Sequence, residues 1–169
     1  MRTIVREQCS NCDNLARVVV GDYEFEEMGL PVVLEHIEIV RCEHCGNIEP
    51  IIPDMNDLMS TIALVVICKP CKLDGREIKF LRTYVGKGSA EFAKLLHLDK
   101  TTMSKMENDE DRGIGPQTDK LIRFVVTALS PELHDKVNQL LEQLPDMEDC
   151  EKIHGGILFN PETRHCQYA

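Results

Sequence analysis

The chain has no tryptophan, and only 5% of its 169 residues are aromatic. A core without large rings must be filled by aliphatic side chains, and small modules with so thin a core commonly add a metal ion as a staple. Long apolar runs are also missing. The longest, at residues 62–68, is far too short to span a bilayer, and residues 1–8 hold no apolar signal core. These absences point to a cytoplasmic protein with no membrane partner. No Gly-rich phosphate loop, nucleophile–base arrangement or open metal site is visible, so enzyme chemistry is not expected. Positive charge is scarce: 19 Lys and Arg face 29 Asp and Glu, a net −10, which argues against a general nucleic-acid binder.

The charge is unevenly spread. Residues 1–71 hold 5 basic and 12 acidic side chains (−7), residues 72–130 hold 11 and 9 (+2), and residues 131–169 hold 3 and 8 (−5). Only the middle stretch is cationic. Affinity for DNA has to come from a patch there, with both flanks repelling phosphate.

Against these absences stand 8 cysteines, which in a cytoplasmic chain suggest metal ligands before disulfides. Cys9 with Cys12, and Cys42 with Cys45, form two Cys-x-x-Cys knuckles. Each turns two thiolates toward one ion, and four thiolates complete the tetrahedron that zinc prefers. Between them, residues 16–20 and 32–40 read as strands, with Ile37 and Ile39 alternating with His36 and Glu38, and Gly29-Leu30-Pro31 breaks the pattern. Knuckle, strands, knuckle is the pattern of a zinc ribbon built on a small antiparallel sheet, over residues 1–54. Four protein ligands leave no open position, so the single ion is structural; iron held the same way is the chemical alternative to Zn2+. Loss of the ion is expected to unfold residues 1–50.

Pro50 and Pro53 end the ribbon. Residues 55–67 read as a linker helix with Leu58, Ile62, Val65 and Val66 near one face. Cys68 and Cys71 form a third Cys-x-x-Cys without a matching pair; Cys150, Cys166, His154 and His165 fit no zinc spacing with it, and incidental cysteines are the better reading.

From residue 74 the periodicity turns helical. Residues 75–85 place Ile78, Leu81 and Val85 inward. Phe92, Ala93 and Leu96 form one stripe and Met103 and Met106 the next, with Leu98 after the break. His97 stands at the tight turn, where positive φ favours Gly, and Asp99 is placed to cap the second helix. This is the spacing of a helix-turn-helix, whose second helix enters the DNA major groove. Thr101, Thr102, Ser104 and Lys105 are its polar side chains; Lys105 and Thr101, four apart, suit base edges, while Lys87, Ser89 and Lys100 suit phosphates. Pro116 opens a further helix over residues 117–129, and residues 131–144 carry a stripe of Leu133, Val137, Leu140, Leu141 and Leu144, either core or a dimer seam. After Pro145 no periodicity remains, and a tail ordered only by a partner, or not at all, is expected.

The whole is an α+β chain, a zinc ribbon followed by an all-α Xre/Cro-type domain over residues 74–144. This layout resembles the YgiT-type zinc finger/helix-turn-helix family across residues 9–129. The matches are the hairpin over residues 23–40 leading into CEHCG at 42–46, LDGREIKFLR at 73–82, AEFAKLL at 90–96 and IGPQTDKLIR at 114–123. The resemblance implies a bacterial transcriptional regulator that binds a double-stranded DNA operator as a homodimer through its C-terminal domain. It also implies a structural zinc, repression or autoregulation, and in some members an antitoxin role with a protein toxin as partner. The chain departs from the family at Asp13, where Gly is usual, at Met106, where an aromatic is usual, and at the Cys68 and Cys71 stretch, which the family does not use for metal. Thr101 and Lys105 stand where base readers of the family are Asn and Arg, so the operator sequence should differ. A metal–thiolate electron carrier or redox sensor, with Cys68 and Cys71 as its switch, is the reading from another class, and visible absorbance separates iron from colourless zinc.

Overall fold

The computed structural model describes residues 6–26, 28–108, 114–134, 156–163 and 165–168. It opens with β1 (Arg6–Gln8), the long hairpin of β2 (Leu15–Phe25) and β3 (Val32–Arg41), and β4 (Ile48–Pro50). Five helical segments follow before α6: α1 (Met55–Ile67), α2 (Gly75–Tyr84), α3 (Ser89–Leu95), α4 (Lys100–Asn108) and α5 (Pro116–Leu129), with α6 spanning Pro131–His134. Two more strands close it, β5 (Ile157–Asn160) and β6 (His165–Tyr168). The class is α+β. Among the described residues no helix is long and apolar enough to cross a membrane.

β3 organises the sheet. It pairs antiparallel with β2 along one edge, and its other edge is shared by β4 at residues 39–41 and by β5 at residues 32–34. Its buried positions change parity, Val32 and Leu34 first, then Ile37 and Ile39. The extra residue is His36, at φ 57°, whose backbone N–H donates to the Asp22 carboxylate at 3.0 Å where the β2 register shifts. A bulge there lets both halves of the strand face one core instead of flipping half of it to solvent.

The small antiparallel sheet expected from the sequence is corrected: the sheet is mixed and six-stranded, because β5 joins β3 in parallel. β4 covers only one end of β3, so the exposed backbone groups at the other end need a partner. Residues 157–168, where no periodicity is legible, supply it, and the Ile157 N–H donates to the Pro31 carbonyl at 2.8 Å. Gly156 permits the approach, since a Cβ there would stand 2.9 Å from that carbonyl oxygen. The expected helix over 131–144 is described only for α6; Val137, Leu140, Leu141 and Leu144 lie outside the described residues.

One buried cluster runs from Leu34, Ile37 and Ile39 through Ile62 and Val66 of α1 to Ile78, Phe92, Met103 and Ile122 of the later helices. Two helix caps hold the later elements in place: Asp54 accepts from the Asp57 N–H at 3.0 Å, and Asp74 and Glu77 form a capping box on α2. Pro116 stands in the first turn of α5.

Residues 67–73, which join α1 to α2, are clamped from α5. The buried Arg123 guanidinium pairs with Asp119 at 2.8 Å and donates to the carbonyls of Ile67, Lys69 (2.7 Å) and Cys71 (2.6 Å). Asp119 in turn accepts from the Leu73 N–H at 2.7 Å. Beside it, buried Lys69 meets Glu77 at 2.6 Å, and Glu77 also accepts from the Tyr168 hydroxyl at 2.8 Å. Burial and the facing Glu77 carboxylate push the Tyr168 phenol well above its ordinary range.

Gly75 begins α2 against the end of α4. A Cβ at this position would lie 2.6 Å from the Met106 carbonyl oxygen and 2.8 Å from that of Glu107. Ala gains about 1 kcal/mol of helix propensity, but the overlap is with backbone and is expected to win. Gly75→Ala should destabilise by about 1–3 kcal/mol in chemical denaturation. An unchanged or higher midpoint would show that the two helices separate without cost.

Candidate metal centre

The two knuckles are local repeats in space as well as in sequence. In the first, the Cys9 N–H donates to the Asn14 carbonyl at 2.9 Å and the Asp13 N–H to the Cys9 carbonyl at 3.0 Å. The second repeats both bonds, Cys42 N–H to Asn47 and Gly46 N–H to Cys42, each at 2.9 Å. Each turn needs a left-handed residue, and Gly46 (φ 77°) and Asp13 (φ 59°) supply it. Asp tolerates that region better than most side chains, so the departure at Asp13 leaves the turn intact.

Antiparallel pairing of β2 with β3 brings the knuckles together. All four thiol sulfurs lie within 4.8 Å of one another, with Cys9 to Cys45 at 3.5 Å and Cys12 to Cys42 at 3.6 Å. A tetrahedral zinc with Zn–S of about 2.3 Å sets its sulfurs about 3.8 Å apart. The spacing fits such an ion, and all four cysteines are free thiols. Cys9 and Cys42 are buried, and with Ala16 and Val40 they form a second, much smaller apolar cluster.

The electrostatics favour a cation. The Asn14 side-chain N–H, 3.4 Å from the sulfur, and the Asn14 backbone draw Cys12 down to about 6. At Cys45 the Asn47 backbone N–H pulls the same way, yet desolvation and the three neighbouring cysteines outweigh it and push the thiol up to about 11. One thiolate forms readily and the last resists, because four negative charges cannot share so small a space without a counter-ion. Asn14 and Asn47 were not among the expected site residues, although the repeated Cys-x-x-Cys-x-Asn of both knuckles signals them. Among the described residues no fifth donor joins the cluster, and four protein ligands would make a bound ion structural.

The third Cys-x-x-Cys does not close on itself. Buried Cys71 is disulfide-bonded, and Cys68 is not its disulfide partner.

The other expected site residues lie on α3 and α4, except Lys87, which stands between α2 and α3. α3 and α4 are joined by a tight turn in which His97 takes φ 54° and the Leu98 N–H donates to the Ala93 carbonyl at 2.8 Å. Asp99 caps α4, accepting from the Thr102 N–H at 2.8 Å and its hydroxyl at 2.6 Å. Those bonds hold the Asp99 carboxyl below its ordinary range, the hydroxyl being the larger cause. The Thr102 hydroxyl therefore donates to the cap. Lys87 is also partly engaged, pairing with Glu91 at 2.6 Å, and Ser89 is half-buried at the start of α3. Lys100, Thr101, Ser104 and Lys105 are exposed on α4, opposite buried Met103 and Met106. Compared with family models, with curated proteins and with solved structures, the chain matches none.

Proposed function

We propose that this protein is a sequence-specific DNA-binding regulator, most simply a repressor or autoregulator, with a structural zinc held by Cys9, Cys12, Cys42 and Cys45. In this reading α3 and α4 are the two helices of a helix-turn-helix, and α4 is the reader. The observation that carries it is the outward face of α4. The side chains of Lys100, Thr101 and Lys105 are exposed and have no hydrogen-bond or ion-pair partner among the described residues. A capped helix whose inner stripe is buried and whose outer stripe is cationic and hydroxylic suits a major groove.

Operator binding as a homodimer fits α5, where Leu121, Phe124 and Leu129 stand exposed and a two-fold partner would cover them. An antitoxin role is the narrower version, and a small protein copurifying with the chain distinguishes it from a free-standing regulator.

Lys105→Ala is expected to lower affinity for a selected genomic fragment by about 1–3 kcal/mol while leaving random duplex nearly unaffected. Competition binding at fixed salt measures both. Equal losses on the two DNAs would remove Lys105 from base reading. If no genomic fragment is preferred even at low ionic strength, the reading fails as a whole.

A further inference from the structure

We propose that the knuckle end of the sheet is a docking surface for an acidic protein segment bearing aliphatic side chains. Its centre is Arg17 and Arg41, with Leu15, Val19 and Ile48 around them. This goes beyond DNA binding and does not rest on it.

Cations are few in the first part of the chain. Residues 1–71 contain Arg2, Arg6, Arg17, Arg41 and Lys69, and Lys69 is buried against Glu77. Of the remaining four, three fall in one row across the sheet: Arg6 is the Cα partner of Arg17, and Arg17 is the Cα partner of Arg41. Like charges placed directly opposite each other destabilise a sheet. The same stretch holds 12 carboxylates that could have faced these positions. Among the described side chains only Glu43 pairs with Arg17, at 3.3 Å with both more than half exposed, and such pairs add little. Arg41 is exposed and has no ion-pair partner among the described residues. A cationic row in a body of net charge −10 is a local cost that the fold itself does not require.

Apolar groups share the face. Leu15 and Val19 stand two residues either side of Arg17 and so project to the same side of β2, and Ile48 is the Cα partner of Arg41 on β4. Leu15 is 66% exposed, Ile48 48% and Val19 37%. A phosphate backbone would satisfy the arginines and leave these aliphatic groups in water. A polypeptide with carboxylates and Leu, Val or Ile side chains satisfies both, the arginines by paired N–H donors and the aliphatics by burial.

The test uses the full, metal-loaded chain and a short labelled peptide of glutamate and leucine, with a glutamine–leucine peptide of equal length and a short duplex DNA as comparators. The glutamate–leucine peptide should bind. Arg17→Gln with Arg41→Gln should weaken it about ten-fold or more, and Leu15→Ser with Ile48→Ser should weaken it several-fold, at unchanged metal content. Four results would overturn the proposal: no binding, binding indifferent to the arginines, equal binding of the glutamine peptide, or loss of duplex affinity alone in the arginine variant. A second measurement needs no ligand. Arg41→Gln should raise the thermal midpoint by about 1–3 °C by relieving the repulsion; a lower midpoint would make the row a structural device and sink the idea.

Discussion

Chelating the ion from the four-cysteine cluster is expected to melt the knuckle end of the sheet and leave the rest folded. Zinc sites of this type contribute about 10–16 kcal/mol of binding free energy at neutral pH, and that energy is folding energy for whatever the ion alone holds in place. Read as sequence, the loss should extend over residues 1–50. The fold narrows it. Phe25, Val32, Leu34, Ile37 and Ile39 belong to the main core, whereas the knuckles rest on a small cluster of buried Cys9, Ala16, Val40 and Cys42 with half-buried Cys12, Val18 and Ile51 against it. So few small or medium side chains cannot hold two turns and four crowded thiolates without a counter-charge. Amide exchange should therefore accelerate at Cys9, Asp13, Cys42 and Gly46 and stay slow at residues 32–37. Cys42→Ser should behave alike with metal present. Acidification acts in the same direction, because protons compete with the ion for thiolate. Without an ion Cys12 is drawn down to about 6 and Cys45 pushed up to about 11, so a bound ion would displace a proton most readily from Cys12 and least readily from Cys45. Metal release should set in as pH falls below neutrality. Knuckle amides that stay protected after metal loss, or a chain that unfolds globally, would contradict this division of labour.

The second large effect is expected at Arg123. Its guanidinium is fully buried, bonds to Asp119 and donates to three carbonyls of the α1–α2 connection. Removing it leaves a buried carboxylate and three unpaired acceptors, and breaking a buried pair in this way costs about 3–5 kcal/mol. For a domain of this size that is a fall of roughly 6–20 °C in thermal midpoint. An apolar replacement of both partners does not restore stability here, because the three carbonyls and the Leu73 N–H would still lack partners. Arg123→Lys should recover little, since one ammonium cannot span the donors of a planar fork. A lysine variant as stable as the parent would show that the connection does not depend on the clamp. Because residues 67–73 join the sheet-side helix α1 to α2, loss of the clamp should also loosen α2 against β6, where Tyr168 meets Glu77.

Much of this was legible without coordinates, and for local reasons. Two identical cysteine spacings announce one four-sulfur cluster. Asp99 announces a helix start because a short carboxylate reaches its own helix's free N–H groups. His97 marks a turn by interrupting a helical stripe. Each is a relation between residues a few positions apart. At Thr102 the structure adds what periodicity does not announce: its hydroxyl donates to the Asp99 carboxylate.

The sequence by itself determined the cysteine cluster, the extent of α1 and the inward stripes of α2 to α4, since these depend on periodicity and capping within one element. Only the tertiary structure decided that the sheet is mixed, that residues 157–168 complete it beside β3, that Arg123 and Asp119 clamp a distant connection, and that Arg17 and Arg41 stand side by side. Those facts depend on register between strands and on partners as far as 125 positions apart in the Val32–Ile157 pair. No spacing rule reaches that far, because the chain between such partners can take many paths before packing selects one.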